Sequence, residues 1–123
     1  MRWASAVKNS SLRESFKYAF LGLTEALRSE RNLRIHLGAG AAVLVLGFSY
    51  GLTFLEWLGL VVAIGLVFTA ELLNTAIETV LDLVSPKLHP LAARAKNVAA
   101  AAVLVAVFTA VIIGIIIFGP RIW

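Results

Sequence analysis

Glu71, Asn74, Glu78 and Asp82 recur at intervals of three and four residues in a segment that is otherwise apolar. On a helix turning about 100° per residue, Asn74 lies about 60° from Glu71, and Glu78 and Asp82 lie about 20° to either side of it. Leu72, Leu73, Ala76, Ile77, Val80 and Leu81 cover the rest of that helix, and Leu58–Phe68 continues it upstream without a charge. An ionised carboxylate facing lipid is costly, so such a stripe faces a bundle interior, a cavity or water. Two carboxylates two turns apart, with an amide between them, are spaced to share a cation or to place a proton acceptor. Their structural use would be pairing with arginines on neighbouring helices, or hydration at the membrane interface.

The elements that must position the stripe follow from the distribution of apolar residues. Of 123 residues, 60% are hydrophobic, which places the chain among integral membrane proteins as a single domain, residues 1–123. There is no cysteine, and so no disulfide. The first 36 residues carry seven Lys or Arg and no apolar stretch before a cleavage site, so no signal peptide is expected. The net charge of +4 follows basic residues placed beside apolar runs, a membrane pattern rather than a nucleic-acid one.

Residues 1–8 form a short basic tail, with Trp3 as an interface anchor. A helix over about 10–28 starts at Ser10 or Ser11 and alternates Phe16, Phe20, Leu23 and Leu27 with Arg13, Lys17, Thr24 and Arg28, as in an amphipathic helix on a membrane surface. Residues 29–36 read as a polar hinge. The apolar run from Leu37 to Tyr50 is short for a span, so the helix must begin near Asn32. A second span covers about 54–84, with Glu56 and Trp57 at its outer interface. Pro86 and Pro90 break it, and a third span covers about 91–118, within a 24-residue stretch from Asn97 to Pro120 that holds no charge. Arg121 and Trp123 close that end. Basic residues precede span one and lie between spans two and three, but none lies between spans one and two. The amino terminus and the 85–96 loop are therefore expected on the cytoplasmic side of the bacterial inner membrane.

This topology brings three polar sets to one face: Glu30, Arg31, Asn32, Arg34 and His36; the stripe; and Lys87, His89, Arg94, Lys96 and Asn97. Carboxylates beside Lys and Arg suit a metal-bound polyphosphate meeting a lipid headgroup. Mg²⁺ is typically held by one or two carboxylates plus phosphate oxygens, and lysine is a mobile phosphate partner. A carboxylate inside the membrane can accept a hydroxyl proton during phosphoryl transfer. The chain has no glycine-rich phosphate loop, which excludes that type of nucleotide cradle. Residue chemistry alone leaves two classes open, phosphoryl transfer and non-enzymatic ion or proton handling. The outer halves of the spans carry almost no polar groups, which disfavours a conduction path.

The run Glu71-Leu72-Leu73-Asn74-Thr75-Ala76-Ile77-Glu78 with Asp82 resembles the E-x-x-N-[ST]-A-I-E-x-x-x-D signature of the prokaryotic diacylglycerol kinase family. Glu30-Arg31-Asn32, Arg34-Ile35-His36 and Ala95-Lys96 through Leu104 resemble it too, so the likeness runs from about Phe16 to Trp123. The hinge with His36 and the ending Gly119–Trp123 look like the Gram-positive branch, mainly undecaprenol kinases. The resemblance implies an all-α homotrimer of three-span subunits with a surface helix, using ATP and Mg²⁺ to phosphorylate a lipid alcohol. Undecaprenol is the expected acceptor, with diacylglycerol the alternative. It implies Glu71 as the base and Glu30 and Glu78 as metal ligands. Tyr18, Lys87, Leu88, His89, Lys96 and Asn97 fall at nucleotide positions, and Asn74 and Arg34 join Glu71 at the lipid.

The family pattern reads Lys-Asp where this chain reads Lys96-Asn97. The swap removes a charge while almost keeping the shape, so impaired turnover is expected. Drift in one lineage and a substitution introduced to stop turnover both account for it.

Overall fold

The computed structural model describes residues 11–122; Trp3, Ser10 and Trp123, and with them the basic tail, lie outside the described residues. The described chain is all-helical, in four helices: α1 (Leu12–Ser29), α2 (Arg31–Tyr50), α3 (Phe54–Val84) and α4 (Pro90–Ile122). The last three are long and apolar enough to cross a membrane. Short connections make them run up, down and up, so the start of α2, the end of α3 and the start of α4 share one end.

Local chemistry sets most of the boundaries. Ser11 caps α1, its hydroxyl accepting the Glu14 amide at 3.3 Å. Gly51, at φ +63°, ends α2 in the left-handed conformation that glycine adopts without strain. Thr53 and Glu56 form a reciprocal capping box that opens α3. Pro90 occupies the first turn of α4, where its missing N–H costs nothing, and His89 Nδ1 accepts the Leu91 amide at 3.1 Å. The residues read as a hinge are almost all helical, because α1 and α2 are separated by Glu30 alone. Arg34 explains the short break: its Nη1 donates to the Leu27 and Arg28 carbonyls at 3.0 and 2.9 Å, satisfying the end of α1 from one turn into α2. Inside the spans, Ser49, Thr75, Thr79 and Thr109 donate back to carbonyls one turn earlier, which satisfies these four hydroxyls without water.

The core sits at the end far from the stripe. Leu52, Leu60, Ile117 and Phe118 are buried there, with Trp57 and Ile113 against them. Phe48 and Trp57 meet at 4.8 Å between ring centroids. A Cβ on Gly47 would lie 2.8 Å from Trp57, so only glycine allows this approach of α2 to α3. Arg121 clamps the same end, its guanidinium donating to both carboxylate oxygens of Glu56 at 2.6 Å. Helices α3 and α4 pack along their length. Further in, α2 stands off, and an apolar chamber of about 410 Å³ opens among the three spans. Phe16 and Phe20 of α1 remain exposed at 58% and 66%.

Candidate functional site

The stripe on α3 divides between partners as it leaves the packed end. Glu71 is the one buried charged residue among the described residues, 4% exposed. Its Oε1 lies 3.2 Å from His36 Nε2 on α2. One turn on, Asn74 Nδ2 donates to Glu78 Oε1 at 2.7 Å. That bond fixes the amide orientation, because a carboxylate only accepts. The other amide atom, Asn74 Oδ1, is buried with no hydrogen-bond partner. Such an orphan acceptor is rare, and it marks a place for an external donor. Asp82 is exposed and receives Lys96 Nζ from α4 at 2.7 Å. No arginine reaches the stripe among the described residues; a histidine and a lysine meet it instead.

Glu71, Asn74, His36 and Asn32 line a recess of about 400 Å³, with Val103 and Leu104 of α4 opposite. The apolar chamber adjoins it, sharing Ile35, His36 and Val107. The buried carboxylate thus stands where polar lining gives way to a long apolar one.

Helix length gives the depth. At 1.5 Å per residue, Glu71 lies about 22 Å along α3 from Glu56, Glu78 about 33 Å and Asp82 about 39 Å. With the Glu56–Arg121 clamp at one interface, a hydrocarbon core of about 30 Å ends between Glu71 and Glu78. On that placement Glu71 lies about 8 Å inside the boundary, buried among the helices rather than facing lipid, and Glu78 and Asp82 lie beyond it.

The other expected residues are arranged differently. Glu30, half-buried at the α1–α2 junction, and Tyr18, half-buried in α1, do not line the recess. Lys87, Leu88 and His89 are exposed in the loop before α4, where His89 acts as a helix cap. Arg34 is committed to the end of α1. Lys96 is 42% exposed and its partner Asp82 68%. An ion pair this exposed is screened by solvent and holds the lysine only loosely. Asn97 is exposed beside it. No group of three metal-ligating side chains occurs among the described residues. The donor set fits a cation carried in on phosphate oxygens, with one or two carboxylates added, better than it fits a protein cage.

Sequence reasoning left two features unassigned, the approach of His36 to Glu71 and the capping by His89. The first had a signal: Asn32 and His36 are four residues apart and so share a face of α2.

Residues 17–118 match the family model described as prokaryotic diacylglycerol kinase. The chain is 46% identical over 108 residues to the undecaprenol kinase of Bacillus subtilis, covering 88% of each chain. It is 44% identical over 101 residues to a diacylglycerol kinase of Synechocystis, covering 81% of this chain and 58% of that one. A diacylglycerol kinase of Haemophilus influenzae is 35% identical over 92 residues, covering 75% and 78%.

Proposed function

Because this chain belongs to the prokaryotic diacylglycerol kinase family and is a multi-pass membrane lipid kinase, we propose that it transfers the γ-phosphoryl group of ATP to undecaprenol. Kinase family membership carries ATP as the phosphoryl donor. The choice of acceptor draws on the B. subtilis relative, while the apolar chamber beside the site suits the hydrocarbon of any long-chain lipid alcohol.

The observation that carries the mechanism is the buried Glu71 at the junction of recess and chamber. A lipid alcohol lying with its chain in the chamber brings its hydroxyl to this carboxylate and to the unpartnered Asn74 Oδ1. Glu71 accepts the hydroxyl proton as the oxygen attacks the γ-phosphorus and the bond from that phosphorus to the β–γ bridging oxygen breaks, releasing ADP. Asn74 ties this point to Glu78, one turn toward water. Glu78 and Glu30 would hold Mg²⁺, which would offset the negative charge of the phosphates. Lys96 would exchange Asp82 for phosphate, with Tyr18, Asn97 and the Lys87–His89 segment at the nucleotide.

The same reading places the Glu78 end in the cytoplasm, since Lys87, Arg94 and Lys96 lie there and the 51–53 turn carries no charge. It places α1 on the membrane surface, where the uncovered Phe16 and Phe20 meet lipid. It takes the working unit as a homotrimer.

Glu71→Gln tests the assignment. It removes the proton acceptor and keeps the shape, so transfer to undecaprenol in micelles should be lost while ATP affinity and assembly are kept. Retention of transfer within about tenfold of the parent would remove Glu71 from the role of base.

A further inference from the structure

We propose that His36 is a positioning residue for Glu71: it donates from Nε2 to Glu71 Oε1 and thereby leaves Oε2 aimed at the acceptor hydroxyl. The inference rests on the reading of Glu71 as the base.

The geometry narrows the choice of partner. Glu71 is buried within a helix of the span, and a carboxylate there has acceptor atoms only. Asn74, the nearest amide along the stripe, donates to Glu78 instead. Lys96 is drawn to Asp82, and Arg34 is held by the carbonyls of α1. Thr75 donates to the Glu71 backbone carbonyl rather than to its side chain. Among the described residues, His36 is therefore the one side chain that brings a nitrogen up to the Glu71 carboxylate, its Nε2 standing 3.2 Å from Oε1 but short of hydrogen-bond alignment. The imidazole serves with Nε2 protonated, whether the ring is neutral or charged. Contacts of this kind are often loose without substrate and tighten in the reacting complex.

Placement adds a second argument. His36 lines both the recess and the chamber, so it stands beside the point where an acceptor changes from hydroxyl to hydrocarbon. It comes from α2, whereas Glu71 is on α3, so the contact crosses a helix pair that stands apart at this depth. A glutamate carboxylate turns freely about its last torsion unless something holds it. Val103 and Leu104 opposite offer no polar atom on their side chains, which leaves the histidine to set that angle.

The test compares His36→Ala, His36→Asn and His36→Gln for undecaprenol phosphorylation in micelles, with thermal unfolding as the control for folding. The glutamine amide nitrogen stands close to where Nε2 stood, and the asparagine amide is too short to reach. Expected are a roughly 10- to 100-fold fall in kcat for Ala and Asn, an unchanged KM for Mg-ATP, and recovery to within about threefold for Gln. A fall confined to stability, or Asn performing as well as Gln, would reduce His36 to packing and overturn the proposal. In the Glu71→Asp background the carboxylate is drawn back out of reach, so His36→Ala should lower kcat by less than about threefold further. Full additivity there would overturn the proposal as well. The two readings fail separately. Loss of transfer in Glu71→Gln with full activity in His36→Ala would leave the base in place and refute its positioning. Transfer retained in Glu71→Gln would refute both.

Discussion

Filling the apolar chamber at Gly114 separates a substrate site from a packing void. Gly114 lines the chamber, and a Cβ there would meet nothing within 4 Å. Gly114→Leu places four carbons in a space of about 410 Å³ and so displaces about four carbons of a bound chain. Two magnitudes compete for the effect. A chain entering from water would lose about 0.8 kcal/mol per carbon, about 3 kcal/mol in all, or roughly 200-fold in affinity. Undecaprenol, however, arrives from hydrocarbon, and then only tighter packing is gained. A packed carbon makes roughly ten contacts of about 0.15 kcal/mol, and a liquid alkane keeps about three quarters of them, which leaves about 0.4 kcal/mol per carbon. Four carbons give about 1.6 kcal/mol, so the KM for undecaprenol should rise roughly 15-fold while the KM for ATP stays as it was. The protein itself should not suffer, because replacing a mid-helix glycine gains about 0.5–1 kcal/mol of helix propensity. Steady-state kinetics at varied mole fraction of undecaprenol in micelles, beside thermal unfolding, reads both effects. A KM within about twofold of the parent, in a protein at least as stable, would refute the chamber as the chain's site.

Arg121→Ala breaks the bidentate clamp on Glu56 and should lower resistance to unfolding, measured with denaturant in micelles. The folded fraction should keep its kcat, since Glu56 lies about 22 Å along α3 from Glu71, and a selective loss of kcat would contradict this division of the bundle. Asn97→Asp returns the charge of the family pattern to an exposed position beside the Lys96–Asp82 pair. A charge-assisted contact contributes about 1.5–3 kcal/mol, so the kinase rate should rise at least about tenfold with no gain in thermal stability. An unchanged rate would show that the aspartate is dispensable here.

The parts of the fold legible in the sequence were those written in long apolar runs. Three helices of spanning length follow from uncharged stretches, because lipid leaves the backbone no alternative to helix. The junction of α1 and α2 was less legible. Charge and polarity at 29–36 look like a break, yet Arg34 bonds the last carbonyls of α1 across the sequence gap and keeps all but Glu30 helical. That bond depends on how two helices meet, which no local pattern encodes. His89 was obscured in a similar way: a histidine in a basic loop invites a nucleotide reading, while its Nδ1 also serves as a cap. At the site, periodicity gathers the four polar residues of α3 on one face but cannot assign their partners. Those partners are His36, itself on a neighbouring helix, and Lys96, fourteen residues beyond Asp82.

The two ends of the bundle answer opposite physical demands. At the Glu56 end, aromatic rings, the missing Cβ of Gly47 and a fully engaged guanidinium lock three helices together. At the Glu71 end the same helices leave a chamber, a recess and an acceptor atom without a donor. A uniformly packed bundle would have closed over Glu71 and left a buried carboxylate with no substrate to meet, a costly arrangement in lipid. A uniformly loose one would not hold α2 and α3 at the separation that lets His36 approach Glu71 at 3.2 Å. The packed end therefore serves the chemistry by stabilising the fold as a whole, without taking part in it. By fixing the helices at one interface it allows them to part at the other, at the depth where a lipid hydroxyl has to meet a phosphate arriving from water.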